Sequence, residues 1–134
     1  MIDPNHCRVT RDTQATNTKQ GLLHFVGVSA ENSGATGLCM HLGIIPPGAV
    51  AEPHMHEGHE TAIYMISGHA RFYYGATLDH EEAVGPGDFI YLGPSVPHQP
   101  YNESDTEPVH FLVARTDPAE QESVVLLPSL KQTP

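Results

Sequence analysis

Chain-breaking residues set the terms for this sequence: 12 glycines and 12 prolines stand among 134 residues. Proline lacks the backbone donor a helix needs and clashes with the preceding turn, and glycine loses the most backbone entropy on ordering. From residue 21 onward their placement leaves little room for long helices. What lies between them is β-prone: Leu22–Val28, Gly37–Ile45, Thr61–Ile66, Ala70–Tyr74, Phe89–Leu92, Val96–Tyr101 and Pro108–Ala114. Turn signals separate these runs, among them Glu31-Asn32-Ser33-Gly34, Pro46-Pro47-Gly48, Ser67-Gly68, Gly85-Pro86-Gly87-Asp88 and the polar tip Asn102–Thr106. Short strands with turns every ~8–12 residues predict an all-β sandwich or barrel. Leu78–Val84 is mixed in character, residues 49–59 read as a His-rich loop, and Val124–Leu127 reads as a last strand or an apolar arm.

A chain of 134 residues suits a single domain with one core. The expected layout is a polar N-terminal arm over 1–20 with at most one short strand, and a barrel over 21–116. A C-terminal extension over 117–134 is expected to pack on the barrel or on a partner. The net charge is −10 with only six Lys and Arg. Phosphate backbones and anionic lipid both need clustered cations, so neither nucleic acid nor a membrane surface is an expected partner. No stretch approaches the ~20 apolar residues of a membrane span. Cys7 and Cys39 are too few for a disulfide framework, and the opening residues lack an apolar secretion signal, so a cytoplasmic location is expected.

Chemistry concentrates in the histidines. Residues i and i+2 of an extended strand share a face, so His54 and His56 can turn both imidazoles toward one ion. Their surroundings extend the pattern. Gly48, five residues, His54-x-His56, then Glu60 and Gly68 resemble the first motif of the cupins. Gly87-Asp88-Phe89-Ile90-Tyr91, followed by Pro97-His98 and Asn102, resembles the second, with its turn residues permuted to Gly93-Pro94-Ser95. The resemblance runs over about residues 40–114. It implies a double-stranded β-helix, a single jelly-roll barrel, with a metal held by His54, His56, His98 and a fourth side chain.

The identity of that fourth ligand is open. Glu60 matches the family's glutamate, but seven residues separate it from Gly68, one more than the family pattern. The family spacing counted back from Gly68 falls on Thr61, a poor ligand. A β-bulge can rotate Glu60 inward. Alternatively, unbroken strand parity turns His59 inward and leaves Glu60 free as a base. Glu60 is the expected ligand and His59 its rival. Either set mixes nitrogen and at most one carboxylate, without thiolate, which suits one divalent transition metal: Fe, Mn, Ni or Zn. Tyr64, Phe72, Tyr91 and His41 are candidate substrate-pocket residues.

The resemblance implies metal-dependent oxidation of a small molecule, of dioxygenase type. A non-redox lyase, isomerase or decarboxylase is the alternative, favoured if Glu60 serves as general base. A non-catalytic binding module with a structural ion is the third reading. Homodimerisation is also expected, with Leu22–Val28 and Val124–Leu127 as segments that can cover a partner's sheet edge.

Overall fold

The computed structural model describes residues 2–119, 121 and 123–134. In chain order its elements are β1 (Thr16–Asn17), β2 (Leu23–Val28), the single helical turn α1 (Ala30–Ser33), β3 (Cys39–Ile45), β4 (His54–His56), β5 (Thr61–Ser67), β6 (Ala70–Tyr74), β7 (His80–Val84), β8 (Phe89–Leu92), β9 (His98–Tyr101), β10 (Val109–Arg115) and β11 (Val124–Leu126). A 3₁₀ turn over Pro128–Leu130 closes the chain. The strands form two antiparallel sheets. One is ordered β1-β2-β3-β10-β5-β8 and the other β11-β4-β9-β6-β7. The two sheets make the jelly-roll barrel that the motif pattern implies.

The breakers stand where the chain turns. Gly68 joins β5 to β6 at φ 82°, and a Cβ there would meet the Pro108 carbonyl oxygen and the Val109 Cα. Only glycine fits that combination of left-handed backbone and close approach. Residues 31–34, expected as a plain turn, instead belong to α1 and its cap. Ser29 Oγ accepts from the Asn32 backbone N–H, and Asn32 Oδ1 accepts from the Ser29 N–H at 2.8 Å, a reciprocal cap. Asn102 is buried and ties the tip after β9 to the end of β3, its amide donating to the Ile45 and Glu107 carbonyls.

Side-chain parity sorts the barrel interior by depth. On β10, Val109, Phe111, Val113 and Arg115 alternate inward; Val109 pairs with Ile45, Val113 with His41 and Ile63, and Arg115 with Cys39 and Thr61. One end of the interior is therefore apolar, built on Leu22, Ile45, Met65, Ala70 and Val109. The other end carries Thr61, His41 and Arg115, and across from it the second sheet presents three histidines. Position 16 already lies in the first sheet, and β11 pairs with β4 through Val124 and His56.

Candidate metal centre

β4 is short, three residues, and both of its histidines are buried while Met55 between them is not. β9 lies antiparallel to it with His98 directly opposite His54. The ring centroids are 4.2 Å apart for His54 and His98, 5.2 Å for His54 and His56, and 5.5 Å for His56 and His98. One nitrogen from each ring lies within 4.8 Å of the others. Metal–nitrogen bonds are ~2.0–2.1 Å, so closing on an ion needs inward ring movement of about 1 Å or less. Among the described residues no other group of His, Cys, Asp and Glu converges in this way.

The tautomers follow from the backbone. His54 Nδ1 lies 2.8 Å from the Glu52 carbonyl and His98 Nδ1 lies 3.0 Å from the Val96 carbonyl. A carbonyl only accepts, so both Nδ1 atoms carry the hydrogen and both Nε2 lone pairs remain for a metal. The Nδ1 of His56 is buried and has no hydrogen-bond partner. All three rings are held neutral, which is the ligating form. Burial pushes His54 well below the usual 6.5, helped by His98; burial and then the Arg115 charge push His56 down. Burial takes His98 down to about 4, with Arg115 adding to it against the opposing Val96 hydrogen bond. The residues present fit a divalent ion of the first transition row.

Neither candidate for the fourth ligand joins the cluster. Glu60 is exposed on the outer face and accepts from the Tyr91 hydroxyl at 2.8 Å. His59 is turned to the end of β10, its Nδ1 donating to the Thr116 carbonyl at 2.9 Å and its Nε2 3.8 Å from Asp117 Oδ2. A bulge does exist in β5, but at the other end: Ser67 pairs with His110 and Met65 with Phe111, leaving Ile66 without a partner in β10. Parity is unbroken from Thr61 to Met65, so Thr61 takes the inward position and Glu60 the outward one. Thr61 is buried and accepts from Arg115 Nε at 3.0 Å. A hydroxyl and a guanidinium thus stand where the family pattern counts a carboxylate.

The cavity between the sheets measures about 80 Å³. The three histidines, Thr61, Arg115, Phe72 and His41 line it. Tyr64 and Tyr91 do not: Ile63 and Met65 on β5, and Ile90 and Leu92 on β8, take the inward positions, which turns both tyrosines to the outer face. His41 is neutral, lowered to about 3 by burial, then by Arg115 and His24. Arg115, His24 and Gln20 line the cavity although no motif marks them. The signal available for the first two is parity: Val109-x-Phe111-x-Val113-x-Arg115 and Leu22-x-His24 each place a polar group on an otherwise apolar stripe.

The sequence profile described as "Cupin domain" matches residues 41–115. No curated protein matches the chain by sequence. Among solved structures, the chain is similar to Lactobacillus farciminis oxalate decarboxylase in a formate complex, with a TM-score of 0.72, 22% identity, and coverage of 86% of this chain and 33% of that one. It is also similar to Bacillus subtilis oxalate decarboxylase studied for its Mn(II) centres (TM-score 0.69, 26% identity, 85% of this chain and 30% of that one). A tryptophan-to-phenylalanine form of the Bacillus subtilis enzyme gives a TM-score of 0.71 at 26% identity over 87% of this chain and 30% of that one. The chain thus spans about a third of the length of these enzymes. With both motifs in place on a two-sheet barrel and more than half of its length matched, the chain belongs to the cupin domain family.

Proposed function

We propose that this protein is a metal-dependent oxidoreductase of dioxygenase type acting on a small anionic molecule, with His54, His56 and His98 as the metal ligands. The observation that carries the reading is the donor set: three neutral imidazoles and no carboxylate in the cluster. Three neutral donors leave the charge of a divalent ion uncompensated, which favours an anionic ligand in its remaining positions. Arg115 adds a cationic side chain to the same cavity, positioned by the Thr61 hydroxyl. A bound Fe, Mn or Ni ion supplies Lewis acidity and, for Fe or Mn, an accessible redox couple. The chain's own contribution is to orient Nε2 of His54 and His98, keep the imidazoles neutral, and wall the site with Ile63, Phe72 and Val113 against water.

Decarboxylation is the second reading, favoured by the resemblance to oxalate decarboxylases at 26% identity. It ranks second because Glu60, the expected general base for non-redox chemistry, faces solvent outside the cavity. Oxygen uptake by metal-reconstituted protein over β-diketones, flavonols, thiols and hydroxy acids tests the first reading. Product formed at an unchanged rate without O₂ would replace it with the second. Ligand binding with no product under either condition would leave a binding module.

A homodimer belongs to the same proposal. Leu23–Val28 and Val124–Leu126 both pair within their own barrel, so the surface offered to a second copy is the outer face of the six-stranded sheet. Met40, Leu42, Tyr64, Ile66, Phe89 and Tyr91 are all exposed there. A contiguous apolar face of this kind on a soluble chain marks an interaction surface.

A further inference from the structure

Each of the three histidines has a chain neighbour held by the last segment of the chain. β4 is three residues long, and β11 pairs with all of them: Val124 with His56, Val125 with Met55 and Leu126 with His54. On its other side β4 meets β9 through a single register pair, His54 with His98, and the His56 carbonyl accepts from the Ser95 N–H at 3.1 Å. Hydrogen bonds extend the β11 ladder at both ends. The Glu57 N–H donates to the Ser123 carbonyl at 2.9 Å, and the Leu127 N–H to the Pro53 carbonyl at 2.8 Å. Pro53 adjoins His54 and follows Glu52, whose carbonyl holds His54 Nδ1. The third tie crosses to β9. His98 and Pro100 line the cavity, so Gln99 between them faces outward, yet it is 0% exposed. Beyond the 3₁₀ turn the segment lies against it: Gln99 Nε2 donates to the Gln132 carbonyl at 3.0 Å, and Gln99 Oε1 accepts from the Gln132 N–H at 2.9 Å. A buried amide with both ends paired is costlier to release than a surface contact. The neighbouring Lys131–Glu52 pair at 2.8 Å is exposed and adds little.

Resting on the three-histidine reading, we infer that residues 123–132 form a strap that positions the metal centre, with Gln99 as its anchor and with ion binding and strap docking coupled. An ion needs three ring nitrogens brought to ~2.0–2.1 Å of one point, which small displacements of β4 against β9 disturb. The strap bridges these two strands from outside, pairing with β4 and bonding Gln99 on β9. Linkage is reciprocal: a strap that favours the ion is itself held more firmly once the ion is bound. The main apolar cluster, Leu22, Ile45, Ala51, Met65, Ala70 and Val109, takes no residue from the strap, so loosening the strap is not expected to unfold the barrel.

The test is amide hydrogen exchange by NMR on the full chain, metal-free and Zn-loaded. Zinc is expected to slow exchange at the Leu127 and Gln132 N–H groups at least about fivefold more than in the β6–β7 hairpin, at the opposite edge of the same sheet. Gln99→Leu and Gln132→Pro remove the anchor from either side. Each is expected to weaken zinc binding about fivefold or more in competition with a chelator, and to change the visible spectrum of the Co-loaded protein. A variant that fails to fold is set aside, and the wild-type exchange contrast then decides alone. Wild-type protein that takes up no ion overturns the three-histidine site, and the coupling with it. Protein that binds zinc but shows equal slowing at both edges of the sheet overturns the strap alone. Folded variants that keep the wild-type zinc affinity and cobalt spectrum do the same.

Discussion

His54 and His98 show how little the backbone leaves to choice once the strands are set. Each is locked by a carbonyl two residues earlier, and each offers one nitrogen to the cluster. Replacing either with alanine removes a proposed ligand, so metal affinity should fall beyond the ~10–100-fold typical of losing an outer-shell partner. Glu60→Gln should leave metal content nearly intact, because that carboxylate bonds Tyr91 on the opposite face of β5. Metal analysis of the dialysed variants checks both, and a Glu60→Gln protein that loses its metal would contradict the placement. His41 carries the pH prediction. Its pKa is lowered to about 3 in the folded protein and returns to 6.5 on unfolding. Below pH 6.5 the unfolded chain takes up a proton that the folded one refuses, so stability present above 6.5 is lost as pH falls toward 3. Each pH unit in that window costs roughly 1.4 kcal/mol for such a histidine. Urea denaturation of metal-free protein at pH 7, 6 and 5 should show the loss, and His41→Phe should flatten its slope by about one proton.

At the scale of elements, the turn glycines and the register of β5 matter most. Gly68 and Gly48 both have positive φ, 82° and 72°, but only at Gly68 does an added Cβ run into backbone. Gly48→Ala should cost about 1 kcal/mol from the left-handed conformation alone. Gly68→Ala should cost clearly more, of order 2–3 kcal/mol, because β5, β6 and the start of β10 must shift apart. Urea midpoints compare the two directly, and equal losses would mean the crowding at Gly68 relaxes freely. β5 itself reads Thr61-Ala62-Ile63-Tyr64-Met65-Ile66, with no polar alternation to say which side faces in. Pairing with β10 on one side and β8 on the other settles it, and sets Thr61 opposite Arg115.

On the scale of the whole molecule, the barrel divides its surfaces by chemistry. The interior runs from an apolar end to a polar one, while the outer face of the six-stranded sheet exposes Phe89 at 82% and Tyr91 at 64%. Burying such side chains against a second copy is worth roughly 1.5–3 kcal/mol each. For the proposed homodimer, Phe89→Glu should therefore shift the equilibrium toward monomer in light scattering at micromolar concentration. A wild-type monomer under the same conditions would count against pairing. Among the described residues no helix is long and apolar enough to cross a membrane.

The strands and turns were legible in the sequence because glycine and proline act locally: they restrict or free a dihedral wherever they stand. The cupin barrel and the trio His54, His56 and His98 were legible because two motifs carry their own spacing. His54–His56 needed only the two-residue period of a strand. The rest was decided between strands. Whether Glu60 or Thr61 faces inward depends on where β5 absorbs its extra residue, and that is a matter of pairing with β10 at Ile66. Arg115, His24 and Gln20 are distant in sequence from the histidine motifs and reach the cavity only when β2, β3 and β10 close over it. Local sequence fixes periodicity and turns. Which side chains share a cavity is fixed by register across the sheets, a cooperative property of the folded chain.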